Sequence, residues 1–305
     1  MLKRSLKCLA ALLLLQALAC EPELKPGGFE DQSRPDVGGG EGSGDAGGQA
    51  EVDFTDMEGT WALAVDLSSC AVLFGVTTET RNRTVARVKI TQEGLKLSEV
   101  HDDCESGNTP IAGLDITVPV ATVNSGNPME VTGVLFGPYP GGVYRNLSKA
   151  RVWGIELDDP LADPFPTSEE VDDPRIFDAD MDGNPGVTLD INGGSCQIYI
   201  AQRSIEALRG NLMPDGSIEG DGSLFTLTAF IDATNPLCAT PYEVLGNDER
   251  GENFFRMVRV DERGLDFDAN DDGEVSCEEI LVHRDELITF KEPDDARCVV
   301  ETPGE

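Results

Sequence analysis

Residues 85–97, VARVKITQEGLKL, decide the fold class of this chain. Apolar and polar side chains alternate from Val85 to Thr91, the segment 92–94 (QEG) carries turn residues, and a second alternating run begins at Leu95. A period of two residues is typical of a strand that buries one face and leaves the other in water. The segment therefore predicts an antiparallel β-hairpin.

Similar runs recur along the chain, so the predicted fold is mainly β, an antiparallel barrel or sandwich. Turn residues at 214–217 (PDGS) and 220–223 (GDGS) separate candidate strands. One late segment, 277–289, has apolar residues at helical spacing without Gly or Pro, and it predicts one short C-terminal helix. The remaining strand candidates are 60–67, 115–123, 130–136, 187–192, 197–206 and 223–231.

The chain is strongly acidic: 305 residues carry 57 acidic and 23 basic side chains, for a formal net charge of −34. Nucleic acids and anionic membrane surfaces repel such a polyanion, whereas cations are attracted to it. We therefore expect no nucleic-acid partner and look for cation sites.

The N-terminus has the pattern of an export signal. Basic residues precede an apolar run over 9–19, which is shorter than the roughly 20 residues of a membrane-spanning helix. The run ends in Ala17-Leu18-Ala19-Cys20, which resembles the lipobox of bacterial lipoproteins. The open alternative is an ordinary signal peptide cleaved near Ala19, with Cys20 a spare thiol.

The lipobox resemblance implies a location and an anchor. Residues 1–19 would be removed, Cys20 would carry lipid, and the membrane partner would be reached through that lipid. Glu21, rather than Asp, implies the outer membrane of a bacterial envelope. The Gly-rich segment 20–52 cannot bury enough apolar surface to fold and is expected to be a flexible tether.

Six cysteines remain after Cys8 and Cys20 are set aside, and an even number in an exported chain predicts three disulfides. Six cysteines allow 15 pairings, and we take sequential pairing as the expectation. A zinc site is not expected because the sequence has no CxxC. The six are Cys70, Cys104, Cys196, Cys238, Cys277 and Cys298.

The segment 268–279, DANDDGEVSCEE, resembles the twelve-residue EF-hand calcium loop. Oxygen ligands spaced by two residues wrap a cation, while Gly273 lets the chain double back. The preceding FFRMVRV alternates like a strand, so a first helix is not expected. The resemblance implies a Ca²⁺ ion held by side chains of Asp268, Asn270, Asp272, Ser276 and Glu279 and by the carbonyl of Glu274.

A second candidate loop, 178–189 (DADMDGNPGVTL), repeats the DxDxDG pattern. Its twelfth position is Leu189, so the bidentate Glu is absent, and Asp190 or an upstream acid would have to complete the shell. The open alternative is a solvated acidic loop. The candidate ligands are Asp178, Asp180, Asp182 and Asn184.

These patterns predict a domain order: a β-rich domain over 53–245 with an acidic loop at 156–186, followed by a calcium segment over 246–305 packed on it. No GxSxG or HExxH motif is present, and we expect no enzyme. The predicted function is a calcium-binding, lipid-anchored envelope protein in which Ca²⁺ is mainly structural. Its protein or ligand partner stays open.

Two other functions remain in view. Gly59-Thr60-Trp61 resembles the GxW signature of lipocalins, which implies a barrel with a small apolar ligand, bound in a cavity lined by the inward faces of 85–91 and 223–231. The other is a secreted hydrolase, in which acidic residues would converge in a cleft without room for calcium.

Overall fold

The computed structural model describes residues 56–73, 76–111, 113–137, 140–147, 149–167, 172–235, 238, 243–247, 252–261, 264–294 and 298. The predicted signal peptide 1–19, the lipidation site Cys20 and the tether 20–52 lie outside these residues. Within the part described, no helix is long and apolar enough to span a membrane.

The fold is mainly β, in agreement with the sequence. The strands are β1 (Gly59–Leu73), β2 (Val76–Glu93), β3 (Lys96–Asn108), β4 (Ile116–Thr117), β5 (Met129–Phe136), β6 (Val143–Asn146), β7 (Lys149–Trp153), β8 (Val187–Ile191), β9 (Cys196–Leu212), β10 (Ile218–Ala233), β11 (Glu243–Gly246) and β12 (Phe254–Arg259). The helices are α1 (Val120–Ser125), α2 (Cys277–Val282) and α3 (Arg284–Leu287).

The strands form one antiparallel sheet that closes partly into a ring. Its order is β10-β12-β1-β2-β3-β5-β6-β9, and the β9–β10 pairing joins the two ends. The hairpin predicted from 85–97 is the β2–β3 pair, with a turn at Gly94, whose φ of +61° suits glycine. Beyond the ring, β7 and β8 pair with β9, and β4 pairs with β8.

Three predicted elements differ from the structure. The turn predicted at 220–223 lies inside β10, where the missing side chain of Gly220 lets the strand lie close to Arg209 of β9. The strand predicted over 115–123 is a two-residue strand, β4, followed by α1, which starts directly after Pro119; proline is well tolerated at a helix start. The single helix predicted over 277–289 is divided into α2 and α3 at His283.

One end of the ring is filled by apolar side chains. Trp61, Leu63 and Val65 of β1 point inward and pack with Val88 and Phe255 from neighbouring strands. The indole of Trp61 donates a hydrogen bond to the carbonyl of Met57 at 2.9 Å. This dense packing leaves the inward face of 85–91 buried in the core.

The C-terminal segment covers the outer face of the ring. Val275, Ile280 and Leu287 pack against Ala62 and Ala64, which point outward from β1. The contact explains why β1 is buried on both faces and reads as a nearly continuous apolar run.

The cysteines form three disulfides, but the sequential pairing is wrong for four of them. Cys196 pairs with Cys238 as expected. The others join Cys70 to Cys298 and Cys104 to Cys277, because the C-terminal segment returns to lie on β1 and β3. Both long-range disulfides attach this segment to the barrel.

Candidate metal centre

The acidic loop between β7 and β8 wraps around its own carboxylates. Asp178 accepts hydrogen bonds from the backbone N–H groups of Asp182 and Gly183, at 3.1 and 2.9 Å. Met181 and Gly183 have positive φ angles of 60° and 93°, which turn the chain back on itself. The spacing of the acids and the glycine in the sequence therefore produces a closed loop.

This loop brings three carboxylates together. Ligand oxygens of Asp178, Asp180 and Asp182 all lie within 4.8 Å of one another. Such a group of hard oxygen ligands suits a divalent cation such as Ca²⁺, whose charge offsets their repulsion.

Asp180 is the buried member of this group, with 8% of its surface exposed. Its Oδ2 accepts hydrogen bonds from the backbone N–H of Thr188 at 2.7 Å and the hydroxyl of Thr122 at 2.9 Å. Its Oδ1 is also buried, and no described residue donates a hydrogen bond to it. A buried carboxylate oxygen without a partner is costly, and a cation in the group would remove that cost.

Asp182 lies at the more open side of the group. Partial burial raises the pKa of its carboxyl, but hydrogen bonds from Thr188 and Asn184 outweigh this and lower the pKa overall. The lowered pKa favours the ionised form of Asp182. The predicted ligand Asn184 donates its side-chain N–H to Asp182 at 3.1 Å.

The twelfth position of the loop does not supply a ligand. Leu189 packs in the apolar cluster around Ile198 and Trp153. Asp190, the other acid considered from the sequence, accepts a hydrogen bond from the side chain of Gln197 at 3.0 Å.

The loop 268–279 has the same local turn. Asp268 accepts hydrogen bonds from the backbone N–H groups of Asp272 and Gly273, at 3.1 and 2.7 Å. Glu279 reaches back to the loop and accepts from the N–H of Ala269 at 2.9 Å. It also accepts from the N–H of Ser276 at 2.8 Å, and the Ser276 hydroxyl caps α2 in return.

The ligand atoms of this second loop are less closely gathered. Among the described residues, Asp268, Asp272 and Glu279 do not form a group with mutual distances under 4.8 Å. Asn270 accepts from the N–H of Asp272 at 2.9 Å, and the side chain of Glu274 lies 3.8 Å from the ammonium of Lys89. The backbone of this loop therefore has the same turn as the loop 178–189, but its carboxylates are farther apart.

A set of charged residues inside the ring escaped the sequence analysis. Glu99, His101 and Asp103 lie on the inward face of β3, in line with the core residue Leu97. Because side chains alternate along a strand, the sequence predicts that these three residues share one face of β3. Their polarity, however, favours the solvent-exposed face. Only ring closure shows that this shared face is the inside. Their partners are Tyr144, Lys149 and Arg151, and Lys149 is in turn paired with Glu206.

Comparison of the chain with protein-family models, with curated proteins and with solved structures finds no match.

Proposed function

We propose that this protein is a lipid-anchored, calcium-binding component of a bacterial envelope, in which Ca²⁺ has a mainly structural role. The observation that carries the proposal is the group formed by Asp178, Asp180 and Asp182, in which a buried Asp180 oxygen receives no hydrogen bond from any described residue. No catalytic step is part of the proposal.

A structural role is supported by what the group connects. Asp180 hydrogen-bonds both to Thr188 on β8 and to Thr122 on α1, so an ion bound by Asp180 would hold a strand and a helix together. The Thr122 hydroxyl also lies 2.8 Å from the carbonyl of Thr188, which closes this connection.

The loop 268–279 supports a second calcium ion, held by Asp268, Asn270, Asp272 and Glu279. In an EF-hand pair, the apolar residue at position eight contacts a partner loop. Here Val275 packs instead on the outer face of the barrel. An ion in this loop would fix α2 and its disulfide partner strand β3 in one arrangement.

Residues 9–20 carry the proposal of a lipid anchor. An apolar run that ends in Ala17-Leu18-Ala19-Cys20 supports cleavage before Cys20 and its acylation. The Gly-rich tether would then separate the barrel from the membrane surface.

The apolar-ligand alternative has less support. Its cavity requires a free inward face along 85–91, but Ala86, Val88 and Ile90 pack against core residues.

Calcium dependence is tested by thermal unfolding of the purified protein. Removal of Ca²⁺ by a chelator is expected to lower the melting temperature by about 3–6 °C, and millimolar Ca²⁺ to restore it. An ion at ten times its dissociation constant adds about 1.4 kcal/mol, and 1 kcal/mol shifts a domain of this size by about 2–4 °C. A melting curve indifferent to the chelator contradicts the proposal.

Three substitutions separate the two loops. Asp180→Asn and Glu279→Ala each remove a ligand from a different loop, so each is expected to lower the calcium stoichiometry, measured by calorimetry, by one ion. Asp271→Ala is the matched control, because Asp271 occupies a non-ligating loop position, and its stoichiometry should stay unchanged. Equal binding by all three variants would show that the loops are acidic turns without an ion.

The anchor is tested by membrane fractionation of Cys20→Ser. We expect the variant to leave the membrane pellet, because the tether has no apolar surface to hold it there. Retention of the variant in the pellet would exclude Cys20 as the anchor.

A further inference from the structure

Lys149, Arg151 and Glu206, which pack around these charged residues, line a cavity at the polar end of the ring. The β3–β5 ladder ends at His101, so no described strand pairs with 103–108 on that side of β3. The cavity lies in this gap, between β3 and the strands β7 and β9. It is small, about 40 Å³, which is room for on the order of three water molecules.

Opposite charges meet in this cavity. Lys149 and Glu206, only 7% and 9% exposed, form an ion pair with a nitrogen–oxygen distance of 2.7 Å. Arg151 Nη1 contacts the buried Asp103 at 2.5 Å. The two cations of the wall are thus balanced by Glu206 in the same wall and by Asp103 behind it.

Several polar atoms of this wall retain hydrogen-bonding capacity. The contact of Arg151 with Asp103 uses Nη1 and leaves the Nε–Nη2 edge of the guanidinium outside that ion pair. The buried Oε1 of Glu206 lies 2.7 Å from the Lys149 ammonium but makes no hydrogen bond of good geometry with any described residue. Trp153 also lines the cavity, and its buried indole N–H, which lies next to Gly126, lacks an acceptor within the described chain. Buried polar groups are normally hydrogen-bonded, so their free capacity indicates a polar occupant.

The charges of the cavity wall indicate which class of small molecule could bind there. Arg151 offers two donors in a fork that matches a carboxylate, and Glu206 offers an acceptor that matches an ammonium group. An anion would be repelled by the net charge of −34 and by Asp103, whereas a zwitterion adds no net charge. A sugar is disfavoured because Arg151 already lies over the Trp153 ring, at 5.8 Å.

We propose that this cavity binds a small zwitterion of the amino-acid class, with its carboxylate on Arg151 and its ammonium group on Glu206. The small volume restricts the ligand to a short side chain. The proposal is independent of calcium binding, because none of the metal-loop acids lines the cavity.

The two tryptophans of the chain supply the readout. In an NMR titration of the ¹⁵N-labelled protein with glycine, the indole signal of Trp153 is expected to shift and saturate in the millimolar range. The signal of Trp61, at the closed end of the ring, should not move. Acetate and methylamine, which each carry half of the zwitterion, should bind roughly tenfold more weakly or worse, because each loses one charge-assisted contact.

Two variants test whether Glu206 contacts the ammonium group of glycine. Glu206→Gln should weaken glycine binding roughly tenfold and leave acetate binding unchanged, and an unmoved Trp61 signal reports that it folds. Glu219→Gln is the matched control, since Glu219 contacts Arg256 away from the cavity, and it should bind glycine normally. The proposal is overturned if glycine leaves the Trp153 signal in place, if acetate or methylamine alone matches glycine, or if the two variants behave alike.

Discussion

At the scale of single residues, the carboxyl of Glu99 is an ionisable group buried inside the ring, with 1% of its surface exposed. Burial raises its pKa from 4.5 to about 7, although Tyr144 and Lys149 oppose the shift. Both of its oxygens lie 3.0 Å from the Tyr144 hydroxyl, and Oε2 lies 2.8 Å from His101 Nε2. Burial also lowers the pKa of His101, which favours the neutral imidazole.

The raised pKa makes stability depend on pH. The folded protein retains the Glu99 proton up to about pH 7, whereas the unfolded chain releases it near pH 4.5. The contribution of Glu99 is therefore complete below pH 4.5 and is lost as the pH rises to 7, by at most about 3 kcal/mol. Asp103, Arg151 and Glu206 also face this region and modulate the size of the effect.

Glu99→Gln is expected to remove this pH dependence, because the amide resembles the protonated carboxyl and does not ionise. Melting temperatures measured between pH 5 and 8 should fall less steeply for the variant than for the parent protein. Glu93→Gln, at an exposed position of β2, is the control and should follow the parent curve. Parallel curves for all three proteins would show that Glu99 is ionised in the folded state.

At the scale of elements, the two ends of the metal loop are hydrogen-bonded to each other beside β9. Gly186 donates its N–H to the Phe177 carbonyl at 2.9 Å and accepts from the Ala179 N–H at 3.0 Å. Its φ is +87°, and a Cβ there would lie 2.4 Å from the carbonyl oxygen of Ile200. The position thus requires glycine both for its backbone angle and for its close contact with β9.

Gly186→Ala is expected to destabilise the fold by about 2–5 kcal/mol, the sum of left-handed strain and a steric clash. Gly216→Ala isolates the left-handed strain, because Gly216 has a φ of +85° and no atom of the described residues lies within 4 Å of its Cβ position. It should cost only about 1–2 kcal/mol. Chemical denaturation measures both values, and equal losses would mean that the contact with Ile200 is easily relieved.

At the scale of the whole molecule, two of the three disulfides join the first strands of the ring to the C-terminal segment. Cys70–Cys298 and Cys104–Cys277 span separations of 228 and 173 residues, against 42 for Cys196–Cys238. Long closed loops restrict the unfolded chain most, so the two long-range disulfides contribute most to stability in the chain-entropy description.

Peptide mapping under non-reducing conditions is expected to recover these three cross-links and no free thiol among the six cysteines. Removal of Cys104–Cys277 by paired Cys→Ala substitutions should destabilise the protein by about 5 kcal/mol, against about 4 kcal/mol for Cys196–Cys238. A cross-link between Cys70 and Cys104, or between Cys277 and Cys298, would contradict the placement of the C-terminal segment.

The sequence by itself determined the features that depend on near neighbours. Alternation over 85–97 predicted the β2–β3 hairpin, and the FFRMVRV run predicted the strand β12 before the loop 268–279. The spacing of acids, one Asn and Gly in 178–183 (DADMDG) and 268–273 (DANDDG) predicted two loops that turn around their own carboxylates. Each of these depends on backbone geometry over about a dozen residues, which local side chains specify.

Only the tertiary structure decided the features that depend on distant segments. The return of the C-terminal segment to β1 and β3 fixed the cysteine pairing, which no spacing encodes. Closure of the sheet places Glu99, His101 and Asp103 in the interior. From alternation alone, these polar residues are expected on the solvent-exposed face of β3. Contact of α1 with Asp180 likewise joins residues 58 positions apart. Strand register and ring closure are properties of the whole chain, because each strand faces inward or outward only through its pairing with the others.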